Sequence, residues 1–277
     1  MKVAEALRQA AARLEPVSDT ARLDAELLMT HAFGASRSEL LLRHMQADAP
    51  EAFMALVTRR ERHEPVAYIL GHKEFYGREF LVAPGVLIPR MDSETTVAAA
   101  LSAVPAPRRV LDCGVGSGAL LLTVLAEVPG AEGVGIDRAE APLEIASANA
   151  AQLGLAERAR IVRGDWSEPG WADALGEFDL VLANPPYVEE DAPIALAVRD
   201  WEPAGALFAG PEGLDDYLVL VPQLPHLLTK NGAAVLEIGA AQADQVAGIA
   251  ELAGLTSELH RDLGGRPRAL VLKKLAD

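Results

Sequence analysis

Val110-Leu111-Asp112-Cys113-Gly114-Val115-Gly116-Ser117-Gly118 reads as a buried strand that runs directly into three glycines at alternate positions, with a helix expected from Ala119. Glycine permits a tight turn and lets a ligand lie against bare backbone. The spacing is G-x-G-x-G, which differs from the G-x-G-x-x-G that brings a pyrophosphate onto a helix N-terminus. A glycine-rich turn between strand and helix therefore predicts an α/β sheet with a ligand at its carboxyl edge, and the neighbouring strands should say which ligand.

The next predicted strand, Gly133 to Asp137, ends in an acid about twenty residues beyond the loop, where a carboxylate can accept hydrogen bonds from both hydroxyls of a ribose. Gly164-Asp165-Trp166 follows the third strand and places a carboxylate and a large ring where an adenine would lie. Each has a plain reading alone, Asp137 as a helix cap and Trp166 as packing. Together, at the ends of successive strands, they describe a nucleoside pocket.

The fourth strand, Phe178-Asp179-Leu180-Val181-Leu182-Ala183, breaks off in Asn184-Pro185-Pro186-Tyr187. Two prolines can neither donate ladder hydrogen bonds nor continue into a helix, so the chain must leave the sheet there. The residue before a proline is biased to extended dihedrals, which projects the Asn184 carboxamide past the strand end. Its amide oxygen and the Pro185 carbonyl can both accept from one small planar group bearing an NH2, and Tyr187 offers a ring face to that group. The competing reading is a stiff turn with a buried tyrosine. In this architecture the fourth strand lies beside the first, so the pincer faces the glycine loop.

Strands and helices alternate from Pro105-Ala106-Pro107 onward: Arg109 to Cys113, a helix from Ala119, Gly133 to Asp137, a helix through Leu143 to Ala151, Arg160 to Arg163, and the Phe178 strand. A helix around Tyr217 to Leu228, a strand Ala233 to Ile238, a helix Ala241 to Ala253 and a strand Ala269 to Leu272 complete it. Such alternation predicts a doubly wound, mostly parallel Rossmann-like sheet. Ahead of it, residues 1–64 read as a small helical N-terminal domain for partner recognition or structural cover. Val3, Leu7 and Leu14 recur at helical spacing, Ser18 and Asp19 offer caps, Gly34 a stop, Ser38 a further start, and Pro50 opens a helix along Phe53 and Val57. Residues 65–90 read as a β-hairpin linker and 91–277 as the main domain, with Asp92 capping its first helix.

Of the 277 residues, half are apolar, enough for a full core. The N-terminus lacks a signal-peptide block and no long apolar run occurs, which predicts a soluble cytoplasmic protein without membrane contact. The single cysteine, Cys113, excludes a disulfide framework and a Cys-rich zinc site, and packing at a strand end is its expected role. A formal net charge of −15 without basic clusters argues against gripping nucleic acid through phosphates.

These motifs resemble class I S-adenosylmethionine-dependent methyltransferases, and more specifically the peptide chain release factor glutamine methyltransferases, over nearly the whole chain. Leu87-Ile88-Pro89-Arg90 with Asp92 and Glu94, Asn184-Pro185-Pro186-Tyr187, Glu202-Pro203, Ala206-Leu207 and Gly210 to Leu214 carry the likeness. Met91 stands where a proline is expected, and Cys113, Val115 and Ser117 vary the glycine loop. The resemblance implies methyl transfer from S-adenosyl-L-methionine, leaving S-adenosyl-L-homocysteine, to the glutamine amide of the Gly-Gly-Gln motif in class-1 release factors. It implies cofactor contacts from Gly114, Val115, Gly116, Ser117, Gly118, Asp137, Asp165, Trp166 and Asn184. Asn184, Pro185, Pro186 and Tyr187 would hold the glutamine, with Arg90 at the mouth, and neither a metal nor a His or Lys general base is expected.

Several rivals share parts of this pattern. N6-adenine methylation of nucleic acid would use the same pincer on a flipped base and would need a reading surface. Glutamine methylation of a ribosomal protein by a sister family shares the tetrapeptide outright. A nicotinamide-dependent oxidoreductase leaves the tetrapeptide unexplained, and an idle nucleoside-binding module predicts binding without turnover.

Overall fold

The structure, a computed structural model, describes residues 1–275. Among the described residues there are nine strands: β1 (His72–Phe75), β2 (Arg78–Leu81), β3 (Arg109–Cys113), β4 (Glu132–Asp137), β5 (Ala159–Arg163), β6 (Phe178–Ala183), β7 (Leu228–Glu237), β8 (Leu255–Arg261) and β9 (Pro267–Lys274). The chain divides into two compact units. One is Met1–His72 with Ile194–Trp201, and the other is Lys73–Pro193 with the chain from Glu202 on.

In the larger unit the order is β5-β4-β3-β6-β7-β9-β8. Pairs from β5 through β7 are parallel, whereas β9 runs antiparallel to both β7 and β8. This is the Rossmann-like doubly wound sheet that the alternation of elements predicts. Side chains alternate between its faces: Val110, Leu180, Leu182 and Val235 join one core cluster, Leu111, Val181, Ala183 and Leu236 the other. Apolar runs buried on both faces are what a central parallel strand requires. Gly133 and Gly135 in β4 have a packing role, because a Cβ there would lie 2.6 Å from Leu121 Cδ1 and 2.6 Å from Val115 Cγ2 respectively. Chain order reverses at β3, which has β4 on one side and β6 on the other, and the crevice past such strand ends is where ligands bind in open α/β sheets.

Several local expectations need correction. Val66–Leu70 is helical, begun by Pro65 and closed by Gly71 at φ +82°, so the hairpin is confined to β1 and β2 around Tyr76 and Gly77. Asp92 does not cap; Met91–Ser93 is a 3-10 turn ahead of the helix Glu94–Ala103, and Asp92 instead meets Arg268 at 2.8 Å. The helix expected over Tyr217 to Leu228 is broken at Pro222 and Pro225 into Asp215–Leu220, a 3-10 turn and Leu224–Leu227. Strand β8 has no counterpart in the sequence reading.

In the smaller unit, helices Val3–Leu14, Ala21–Phe33 and Phe53–Glu61 close around Val3, Leu7, Leu14, Leu28, Phe53 and Val57. Gly34 ends the second helix at φ +71°, as its sequence position suggests. Ser36, not Ser38, starts the next, in a capping box with Glu39. Ser18 and Thr20 turn their hydroxyls to Asp24, which pairs with buried Arg60 at 2.8 Å. Within the same unit Trp201 donates its Nε1 to the Arg62 carbonyl at 3.2 Å.

Candidate active site

Parallel pairing of β3 with β6 sets Cys113 opposite Ala183, so Gly114 and Asn184 leave neighbouring strand tips side by side. Both line one cavity of about 310 Å³, together with Val115, Gly116, Ser117, Asp137, Asp165, Trp166, Pro186 and Arg90. That volume falls within the usual span for small-molecule sites, about 300–1,000 Å³. Gly118 closes the loop as the residue before the helix Ala119–Glu127.

The loop is built by its glycines. Gly114, Gly116 and Gly118 take φ of +81°, +54° and +84°, a region that residues with a side chain rarely enter. The amides of Gly114 and Val115 both donate to the Ile136 carbonyl, at 3.0 and 2.7 Å, which ties the turn to β4. Gly116 donates to Asp137 Oδ2 at 3.2 Å and Ala139 to Oδ1 at 3.0 Å. Burial raises the Asp137 carboxyl above its ordinary value, against those amide bonds. A carboxylate has about four acceptor positions, so these amides do not exhaust its capacity to accept from a hydroxyl. Trp166 packs on the loop, with its ring carbons 3.2 and 3.3 Å from where a Gly114 Cβ would stand, and its Nε1 donates to Asp216 at 3.2 Å. Asp165 faces Ser167, accepting from its amide at 2.9 Å and its hydroxyl at 2.7 Å.

At the tip of β6 the four motif residues separate. Asn184 and Pro186 line the cavity. Pro185 is buried and Tyr187 half-buried, and neither is part of that lining. Among the described residues no donor engages the Asn184 carboxamide or the Pro185 carbonyl. The Tyr187 carbonyl accepts from Gln242 Nε2 at 3.1 Å, and its hydroxyl stands 3.5 Å from Glu237 Oε1. Arg90 is held by the buried carboxylate of Glu202, whose second oxygen accepts from the Ile88 amide at 3.1 Å.

Four polar residues at this edge have no assigned role in the sequence reading. Asp112 is fully buried and lines the cavity; Oδ2 accepts from the Leu121 amide at 3.2 Å, whereas Oδ1 has no partner among the described residues. Burial drives its carboxyl up to about 8, helped by the Asp137 charge. Glu202, Glu237 and Gln242 support the tetrapeptide and its approach. The available signal was an acid inside an apolar run, at Asp112 and Glu237, where an unpaired charge is costly.

The family described as PrmC N-terminal domain matches residues 5–71, and that described as a methyltransferase domain matches residues 110–199. A release factor glutamine methyltransferase of Rhodospirillum rubrum is 41% identical over 262 residues, covering 92% of this chain and 79% of the relative. One from Cereibacter sphaeroides is 41% identical over 275 residues, covering 97% of each. Among solved structures, a methyltransferase from Pyrococcus furiosus superposes with a TM-score of 0.54 at 15% identity, covering 72% of this chain and 91% of that one, a likeness of fold. With 41% identity over at least 79% of each relative, the protein belongs to the release factor glutamine methyltransferase family.

Proposed function

We propose that this enzyme transfers a methyl group from S-adenosyl-L-methionine to the side-chain amide nitrogen of the glutamine in the Gly-Gly-Gln motif of class-1 release factors, in the cytoplasm. The observation that carries this reading is the adjacency of Gly114 and Asn184 at paired strand tips on one cavity. A nucleoside-holding loop and an amide-gripping motif then share a wall.

The residues fit that cofactor. Gly114 to Gly118 would offer bare backbone, Asp137 would accept from a ribose hydroxyl, and Trp166 and Asp165 would hold the base. Asp112 Oδ1, buried without a partner among the described residues, suits an ammonium group. When bound, the cofactor supplies an electrophilic methyl on a positive sulfur.

The chain's own task is to present the amide nitrogen, a poor nucleophile because its lone pair is delocalised into the carbonyl. Asn184 and the Pro185 carbonyl accept its two hydrogens, and Pro186, Tyr187 and Arg90 complete the grip. Alignment of this kind is worth roughly 7–11 kcal/mol in well-oriented reactions. Once the C–N bond forms, the protonated amide is strongly acidic and gives its extra proton to solvent, so no strong base is needed, and no histidine or lysine stands among the lining residues. Residues 1–64 recognise the protein substrate, 65–90 link, and 91–277 carry the transfer.

The test is incubation with methyl-labelled cofactor and a purified release factor, beside a Gln→Ala variant of its Gly-Gly-Gln motif. Label on the native factor alone is expected, at the glutamine by mass spectrometry. Label on both factors, or on neither, overturns the reading.

A further inference from the structure

Glu237 ends β7 with 1% of its surface exposed, and its Oε2 has no partner among the described residues. Four elements converge on it. Arg268 approaches from β9, buried and with its Nε unpartnered, and Asp92 and Ser93 come from the 3-10 turn. Tyr187 approaches from the end of the tetrapeptide, and Tyr217 donates its hydroxyl to the Glu237 carbonyl at 2.7 Å. Arg268 is itself shared with Asp92 at 2.8 Å and Asp262 at 3.7 Å, so its charge is divided before it reaches Glu237.

A carboxyl here contributes poorly to stability, since an apolar or amide side chain of equal volume would avoid the burial of a charge. What the carboxyl does contribute is an acceptor for Tyr187. The main chain of Tyr187 is clamped by Gln242, while its hydroxyl reaches Glu237 Oε1, with Arg268, Arg90 and Asp92 adding their charges nearby, and at 3.5 Å the contact is longer than a formed O–H···O bond. Contacts of this kind in ligand-free sites commonly tighten when substrate binds.

We propose that Glu237 is a positioning residue for the methyl acceptor: its carboxylate takes the Tyr187 hydroxyl and fixes the ring against which the amide lies. The proposal rests on the reading that Asn184-Pro185-Pro186-Tyr187 grips that amide. Burial raises the Glu237 carboxyl to about 7, against the pull of Ser93 and Arg268, so the hold strengthens as pH rises through neutrality. Burial and the same carboxylate push the Tyr187 hydroxyl up to about 12, so it stays a donor throughout.

The experiment compares wild type, Glu237→Gln, Tyr187→Phe and the double variant on a purified release factor between pH 5.5 and 8.5, reading kcat, KM and cofactor affinity. Wild-type kcat should decline below about pH 7. Glu237→Gln should lower it roughly 10- to 100-fold and abolish that decline, leaving cofactor affinity within about twofold. The double variant should be no worse than Tyr187→Phe alone. A Glu237→Gln enzyme with the wild-type profile, or losses that multiply in the double variant, overturns the proposal. Should Glu237→Gln not fold, Tyr187→Phe decides, and persistence of the acid limb in it is equally fatal. Wild type inactive on the release factor removes the underlying reading and this proposal with it, whereas an active wild type with an unchanged Glu237→Gln removes the positioning role alone.

Discussion

Gln242 donates its Nε2 to the Tyr187 carbonyl at 3.1 Å and to the Gly213 carbonyl at 3.0 Å, while its Oε1 accepts from the Gly239 amide at 3.0 Å. One buried carboxamide thus ties the exit of the tetrapeptide to the turn after Gly210 and to the end of β7. The fit leaves no room, for a Cβ on Gly213 would stand 2.3 Å from the Tyr187 carbonyl oxygen and 2.8 Å from Gln242 Nε2.

Gln242→Ala strips the Tyr187, Gly213 and Gly239 backbone groups of this partner at once, together with a longer contact to the Glu212 carbonyl at 3.5 Å. Unsatisfied buried polar groups cost about 1–3 kcal/mol each when water cannot reach them. The variant should unfold at a measurably lower temperature and lose kcat beyond its loss of cofactor affinity. An unchanged melting curve would show that the clamp is not needed.

Asn184→Ala removes the amide acceptor and leaves the glycine loop intact. Turnover should fall roughly 100-fold or more, on the scale of deleting one group that stabilises developing charge. Cofactor affinity measured by isothermal titration should change far less. Near-normal turnover in that variant would defeat the proposed grip.

Asp112 holds a proton up to about pH 8, and an ammonium placed beside Oδ1 would favour the ionised form. Cofactor binding near pH 7 should therefore release a proton, seen as a binding enthalpy that varies with the ionisation enthalpy of the buffer. Asp112→Asn should bind more weakly and show no such dependence. Buffer-independent enthalpy in the wild type would remove Asp112 from this role.

The same two acids set a slope in stability. The carboxyls of Asp112 and Glu237 lie at about 8 and about 7 in the fold, above their ordinary values, so the folded chain keeps protons that the unfolded chain has released. Their contribution is full below the unfolded pKa values near 4 and is lost as pH rises through the folded ones. Denaturant midpoints should fall between pH 4.5 and pH 8, and Asp112→Asn or Glu237→Gln should each flatten that fall. A slope unchanged in both variants would contradict the assignment.

Central elements were legible because their physics is local. Leu180 to Ala183 is a continuous apolar run and Val110 to Cys113 is interrupted only by Asp112; glycine ends one and proline the other, and the motif glycines have few other uses. Strand β8 was not legible, since Thr256 to Leu259 lie exposed on an edge strand and nothing apolar marks a buried face. Val66–Leu70 reads as strand because a short apolar run has no period of its own, although Pro65 and Gly71 bracket it as a helix. Asp92 has the sequence position of a cap, but its partner is Arg268, 176 positions later in the chain. Glu237 and Asp112 are the same problem in reverse: the strand was visible, and the neighbours that give each acid a purpose come from distant segments.

Under the proposed reading, the parallel register of Cys113 with Ala183 makes the sheet itself the gauge for the distance a carbon atom must travel. Slippage by one residue along β6 would carry Asn184 about 3.3 Å and turn its side chain to the opposite face. Donor and acceptor halves cannot be retuned separately from inside these strands. Any redesign of acceptor choice in this scaffold belongs downstream of Pro186, where the chain has already left the ladder.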